Sequence, residues 1–359
     1  MAAGITLRDR RDAKPERLAA LTRLRAFLIA WVLIYHLELA LRALGGLPLA
    51  EAVALKGYLG VDGFFVLSGF ALFLGYRHRA PMGLAGYAGF VRRRAERLFP
   101  LHLAALGALV LLVGAAMLAG LNINEPQRFG AYELLMQALL LHGWETTAQH
   151  AWNYPSWALS AIWAGTLAFP LLLPLLAARG APACWAMVVA VMAGLGWLGA
   201  LADGAQLNRT LHLGLVRFGL EFVLGLALAR LVTLRAVPGG VAAAAVLFLP
   251  LGLWLGQDVV AVAGLAALVA RLGMEAPGAT PPRDLAWRLG EASFGIYLAW
   301  VFVEAALVVL LRVAEPGQGA RIALMAGGLA ASGALGWLAW RCVEVPVARR
   351  LAPSRHVSV

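Results

Sequence analysis

Residues 24–43 read LRAFLIAWVLIYHLELALRA, an apolar run long enough to cross a bilayer but interrupted by Arg25, His36, Glu38 and Arg42. A membrane helix needs about 20 predominantly apolar residues, and ionisable groups inside one are costly enough that they usually mark function. Ten residues separate Arg25 from His36. Eleven steps of 100° return both to one helix face, about 16 Å apart along the axis. One face of one helix therefore carries a cation near one membrane surface and a titratable imidazole at about mid-depth.

The rest of the chain has the same character. Of its 359 residues, 62% are hydrophobic and 14% charged, with a mean hydropathy of +0.78; soluble domains carry about a quarter charged residues. This excludes an ordinary soluble globule and predicts an all-α, polytopic membrane helix bundle, with the lipid bilayer as its first partner. Further apolar stretches lie near 57–76, 98–119, 156–177, 183–202, 210–230, 237–256, 258–273, 290–311 and 320–341, giving about ten spans. The loops between them are short, so chemistry is expected in or at the bilayer. The domain reading is a basic N-terminal segment (1–23), a membrane domain (24–345) and a C-terminal tail (346–359). A cleaved signal peptide is the rival reading of the N-terminus. It is set aside because no small-residue cleavage pattern follows the first apolar run and the run itself carries His36.

A net charge of +11 could point to nucleic acid in a soluble protein, but here the basic residues cluster between apolar spans, and no nucleic acid partner is expected. With the N-terminus in the cytoplasm, Arg42, Lys56, Arg128, Arg209, Arg217, Arg312 and Arg321 fall outside and the other 23 of the 30 Lys and Arg fall inside. That asymmetry is the positive-inside pattern. It predicts a bacterial-type inner (plasma) membrane protein with both termini cytoplasmic. Cys184 and Cys342 lie in apolar stretches without metal-ligand spacing and read as small packing residues. Residues 131–143 are apolar but too short to cross, fitting an external interfacial helix or a re-entrant piece. The aromatic stretch that follows, with Trp144, Trp152, Tyr154 and Trp157, is expected at the outer interface.

Several segments carry candidate chemistry. Residues 60–70, GVDGFFVLSGF, put Asp62 a few residues below the outer surface, at the expected depth of His36. A hydrogen bond from His36 to Asp62 would fix the imidazole tautomer. Alternatively, Asp62 caps the helix start while the glycines allow close packing. In residues 90–100, FVRRRAERLFP, Arg94 and Arg97 share a helix face, and guanidinium forks suit the phosphates of a nucleotide-bearing substrate. The rival is a positive-inside anchor. Glu221 follows Arg217 by four residues, a pair that can neutralise itself within one turn. Glu304 lies mid-span with no partner in sequence, so it must face the bundle interior or a wet cavity. His102 and His212 near span ends, and His78, His142, His150 and His356 in loops or tails, read as solvated.

In order along the chain, Arg25 with ten residues to His36, GVDGFFVLSGF, Arg94-x-x-Arg97, PSWALS at 155–160, RFGLEFVLG at 217–225, GEASFGIYL at 290–298 and VEVP at 343–346 resemble the membrane acyltransferase 3 family. The resemblance runs over most of residues 18–350. It implies a ten-helix enzyme, a transferase of groups other than amino-acyl groups. Such an enzyme moves an acyl group, commonly acetyl, from cytoplasmic acyl-CoA (here acetyl-CoA) to a hydroxyl of a glycan or lipid-linked acceptor, as in polysaccharide O-acetylation, without a metal. It implies His36 as catalytic base, with Arg25 on the same face and Asp62 beside it. Arg94 and Arg97, flanked by Arg93, become the docking point for coenzyme A phosphates, and Trp157, Ser160 and Tyr297 are expected in substrate binding. Two positions depart from the family pattern. A Glu is common shortly after Trp-x-Leu-Ser, where this chain has Ile162, and a His after the span 9 tyrosine, where it has Trp300. Either another carboxylate serves, with Asp62, Glu38 and Glu221 as candidates, or the chain is a catalytically altered or non-enzymatic transporter or flippase-like protein on the same scaffold. No internal repeat supports the transporter alternative.

Overall fold

The computed structural model describes residues 19–78, 80–81, 83–120, 123, 125–201, 204–275 and 284–351. Most of the expected basic N-terminal segment, the end of the C-terminal tail, Arg79, Arg283 and His356 lie outside the described residues. Within them the chain is helical and no strand occurs. The helices are α1 (Ala19–Leu41), α2 (Pro48–Leu55), α3 (Leu59–Tyr76), α4 (Gly83–Leu118), α5 (Ala131–Ala138), α6 (Trp157–Ala177), α7 (Ala181–Gly199), α8 (Gly214–Thr233), α9 (Val241–Leu255), α10 (Asp258–Gly273), α11 (Leu285–Val313), α12 (Gln318–Ala339) and α13 (Val345–Leu351).

Each of the ten expected spans is occupied by a helix. Seven helical segments are long and apolar enough to cross a membrane by length and composition: α1, α3, α4, residues 154–177, α7, α11 and residues 318–347. The other three fall short for visible reasons. α8 carries Arg217, Glu221 and Arg230, while α9 and α10 have only 15 and 16 residues. The arginine cluster at 92–97 is helical. It forms the early turns of the 36-residue α4, which continues through Pro100 into the apolar stretch.

α1 packs against α11 and α3, α3 against α8, and α8 against α7 and α6, while α9 pairs with α10 and α11 with α12. At the α3–α8 contact the backbones touch through two glycines. A Cβ on Gly69 would stand 2.1 Å from the Phe222 carbonyl oxygen, and one on Gly225 would stand 2.0 Å from that of Val66. Small residues at such a crossing replace the missing hydrophobic drive between membrane helices by close backbone packing. Around the crossing, Phe65 meets Phe218 edge-on at 4.9 Å and Trp157 at 5.6 Å between ring centroids.

The stretch 139–157 packs against the bundle, burying Trp152 and Trp157 at 9% and 6% exposure. Its backbone is satisfied there by side chains. Gln137 Nε2 donates to the Ala151 carbonyl at 2.8 Å, and the Gly143 amide donates to Ser160 Oγ at 3.1 Å. An irregular segment at membrane depth is tolerated only where protein meets its polar groups.

Because Gly225 is pressed on backbone and Gly219 of the same helix faces open space, the two should respond differently to enlargement. Gly225→Leu should cost at least the ~1–3 kcal/mol of an overpacked core, seen as loss of the monodisperse peak in fluorescence-detected size exclusion. Gly219→Leu should elute like the unmodified protein; equal profiles for both variants would refute the close α3–α8 crossing.

Candidate active site

His36 projects from the polar face of α1 and is half-buried. Its Nδ1 lies 3.4 Å from the Tyr154 hydroxyl, and that hydroxyl donates to Glu304 of α11, 3.1 Å from each carboxylate oxygen. The Trp300 ring lies against the imidazole at 4.4 Å between centroids and 31° between planes. Tyr35 meets the imidazole edge-on at 4.9 Å. Trp300 and Glu304 are four residues apart, so one face of α11 presents both.

Tyr154 is held by its own turn. Tyr154–Ser156 forms a single turn of 3-10 helix in which Ser156 Oγ donates to the Asn153 carbonyl at 2.7 Å. Asn153 Nδ2 donates to the Leu298 carbonyl at 3.2 Å, and the Tyr297 hydroxyl donates to the Pro155 carbonyl, so α11 grips the turn on both sides. Behind it runs a buried polar network. The Ser156 hydroxyl lies 3.0 Å from His142 Nε2 and 3.2 Å from Gln137 Oε1, and His102 Nε2 lies 2.8 Å from the Gln137 carbonyl. His102 and His142 are thus buried, at 0% and 7% exposure, and not solvated as expected. The cause is the inward fold of residues 139–157, whose polar groups need internal partners. His78 and His212 are exposed, as expected.

At the other end of the same α1 face, Arg25 is half-buried within coulombic reach of Arg97, Glu291 and Glu344. Arg94 lies within reach of Arg97 and Tyr76, and its Nε is buried without a hydrogen-bond partner. Arg93 is exposed. The long α4 brings Arg97 to the start of α1, within reach of Arg25 and Glu344, with Arg94 beside Arg97 and Tyr76. At the rim Arg23 Nη2 pairs with Asp284 at 2.7 Å, and Asp284 caps α11 by accepting from the Trp287 amide at 2.9 Å. The Arg23 guanidinium holds the Asp284 carboxyl down to about 2.

The expected hydrogen bond between His36 and Asp62 is not made. Arg217 takes both Asp62 oxygens, Nε on Oδ1 at 3.0 Å and Nη2 on Oδ2. Arg217 is 1% exposed and Asp62 0%, so a buried cation has claimed the nearest carboxylate. Glu221 stands 3.8 Å from Arg217 Nε, the expected intrahelical pair. Glu38 is also occupied, accepting from the Leu44 amide at 2.9 Å just beyond the end of α1. None of the three candidate carboxylates therefore meets His36; Glu304, joined to it through Tyr154, was missed as a partner. The available signal was its position four residues after Trp300 and seven after Tyr297, on the face of α11 that the GEASFGIYL motif shares. Trp157 and Ser160 each make contacts within the bundle. Trp157 lies under the Arg217 guanidinium at 5.8 Å, and Ser160 Oγ donates to the Leu140 carbonyl at 2.6 Å. Tyr297 is half-buried at the Pro155 turn, and Ile162 is half-buried against the apolar core.

A family profile described as an acyltransferase domain (acyltransferase 3) matches residues 18–341, and the chain belongs to that family. It is also 31% identical over 163 residues to Acyltransferase MdmB of Streptomyces mycarofaciens, a stretch covering 43% of this chain and 39% of that protein. No solved structure matches the chain.

If Asp62 serves mainly as the counter-ion of Arg217, Asp62→Ala should lower unfolding stability by about 3–5 kcal/mol by stranding a buried guanidinium. Asp62→Leu with Arg217→Met should recover much of that loss in a detergent thermal-shift assay. A normal melting curve for Asp62→Ala would remove the structural assignment.

Proposed function

We propose that this acyltransferase-family chain is an integral membrane enzyme that moves an acyl group, acetyl in the simplest case, from cytoplasmic acyl-CoA to a hydroxyl of a glycan or lipid-linked acceptor at the external face. The observation that carries this reading is the pairing, on one face of α1, of a basic cluster around Arg25 with an imidazole about 16 Å further along the helix. Guanidinium forks bind phosphate bidentately, and Arg94 offers an Nε that no protein group uses. Arg94 and Arg97 would hold the coenzyme A phosphates, with Arg93 at the exposed rim and Arg25 between them and His36. The extended thiol arm would then run along α1, bringing its thioester to the imidazole.

The reaction follows from these groups. Neutral His36 takes the proton of the acceptor hydroxyl as the oxygen attacks the thioester carbonyl. The tetrahedral adduct collapses with cleavage of the carbon–sulfur bond, and the imidazolium returns its proton to the departing thiolate. The products are an O-acyl ester and coenzyme A, and the base is restored. Tyr297, beside the Pro155 turn, would line the acceptor pocket. Topology supports the direction, because placing the Arg25 end inside puts 23 of the 30 Lys and Arg on the cytoplasmic side. In this reading both termini are cytoplasmic and the membrane is the inner membrane. The transporter alternative rests on Ile162 and Trp300 removing titratable groups; Glu304, two hydrogen bonds from His36, supports the enzyme reading.

The test is to express the wild type and variants in cells and follow the acyl content of surface glycans by NMR, then acyl-CoA turnover in membranes. His36→Ala should lose about 10²–10⁴-fold in rate, the usual contribution of a positioned base. Arg94→Ala and Arg97→Ala should each raise KM for acyl-CoA by about tenfold or more, the scale of one charge-assisted hydrogen bond. Equal acylation by wild type and His36→Ala would overturn the reading.

A further inference from the structure

We infer that Glu304 is a positioning residue that acts through Tyr154 to fix the tautomer of His36 and to balance its charge when it is protonated. This rests on His36 being the base proposed above. A tyrosine hydroxyl has one proton to give. Glu304, with both oxygens 3.1 Å from it, receives that proton in a hydrogen bond. The Tyr154 oxygen can then only accept from His36 Nδ1, 3.4 Å away, which places the imidazole proton on Nδ1. The lone pair is left on Nε2, the nitrogen available to a substrate hydroxyl. The bond is long for a strong one, as catalytic hydrogen bonds commonly are before substrate tightens them.

The chain Nδ1–H to tyrosine oxygen and tyrosine O–H to carboxylate performs, with one group interposed, the service a carboxylate gives histidine in a hydrolase triad. No proton needs to leave Glu304 or Tyr154 during turnover. When Nε2 takes the substrate proton, the positive imidazolium sits at the end of a polarised hydrogen-bond chain terminated by a negative carboxylate. Other charged or titratable groups near this chain are already engaged. Arg128, over the Tyr154 ring at 5.9 Å, donates to the His150 carbonyl and pairs with Glu125. His150 lies 2.9 Å from the Thr210 hydroxyl. Trp300 contributes no competing acceptor, since it presents a ring face to the imidazole. The carboxylate that position 162 lacks is thus supplied from α11.

The test compares wild type, His36→Ala, Tyr154→Phe and Glu304→Gln for acyl transfer in membranes, with ¹⁵N-histidine NMR of the purified proteins; the His36 signal is assigned by its absence in His36→Ala. Glu304→Gln and Tyr154→Phe should each lose about 10²–10⁴-fold in kcat, the range for removing the group that orients a catalytic histidine. KM for acyl-CoA should change less than about threefold. Wild-type His36 should show the Nδ1–H form, and Tyr154→Phe should lose that preference. A merely structural Glu304 would tolerate the isosteric amide, so Glu304→Gln activity within about threefold of wild type, or an Nε2–H form in the wild type, overturns the inference. If His36→Ala is inactive while Glu304→Gln is active, only the relay fails; if both are active, the proposed base fails with it.

Discussion

A guanidinium sealed inside a membrane bundle must be given a carboxylate, and the Arg217–Asp62 pair is the contact on which the arrangement of the proposed site depends. Arg217 is 1% exposed and joins α8 to α3, at the crossing where Gly69 and Gly225 let the two backbones touch. Once desolvated, such a pair is held less by its net worth than by the large cost of parting it. Two of its three remaining N–H groups donate to the carbonyls of Arg209 at 3.2 Å and Tyr58 at 3.5 Å. A second pair works at the same end of the bundle. Lys56 Nζ lies 2.6 Å from Asp258, which also accepts from the Tyr58 hydroxyl at 2.8 Å, tying the start of α3 to the start of α10.

This clamp reaches the imidazole through α6. Trp157, the first residue of that helix, lies under the Arg217 guanidinium and edge-on to Phe65. Tyr154 precedes it by three residues, within the turn that α11 grips through Asn153 and Tyr297. The position of the Tyr154 hydroxyl is therefore set from two sides, by a buried charge pair on α3 and α8 and by hydrogen bonds to α11. Trp157 and Ser160, read from sequence as substrate-binding, also pack the bundle, Trp157 on Arg217 and Ser160 on the segment at 140–144.

Much of the architecture was legible because hydrophobic runs near 20 residues leave few alternatives. Every expected span is a helix, and α4 carries Arg97 to within reach of Arg25. What could not be read was which carboxylate goes with which cation or imidazole. Asp62 and His36 were expected at one depth, but Gly60 and Gly63 on either side of Asp62 both pack on Leu28, about two turns from His36, and the competing Arg217 lies 155 residues further along the chain. The packing of region 139–157 was not legible for a related reason. Its apolar and aromatic composition fits a lipid-facing as well as a protein-facing position, and only the side-chain partners of Gln137 and Ser160 show which groups it meets. Glu304 carried a usable signal, an unpaired acid in mid-span that had to face protein or water.

Replacing the Glu near position 162 and the His near position 300 together is easier to understand than either change alone. A histidine base needs its ring plane and its tautomer fixed, and these are separable tasks. Trp300 presses on the imidazole face at 4.4 Å and limits rotation of the plane. The Tyr154–Glu304 chain meets the ring edge at Nδ1 and can set the tautomer. An indole at 300 performs the first task but offers no acceptor, so the second has to come from another point on the same face, and one helical turn along α11 is Glu304. Function of this kind belongs to the geometry of a site and not to fixed positions in a motif. In the proposed mechanism an isoleucine at 162 is then no obstacle, because the carboxylate need only arrive within hydrogen-bond reach of the right edge of the ring, from whichever helix supplies it.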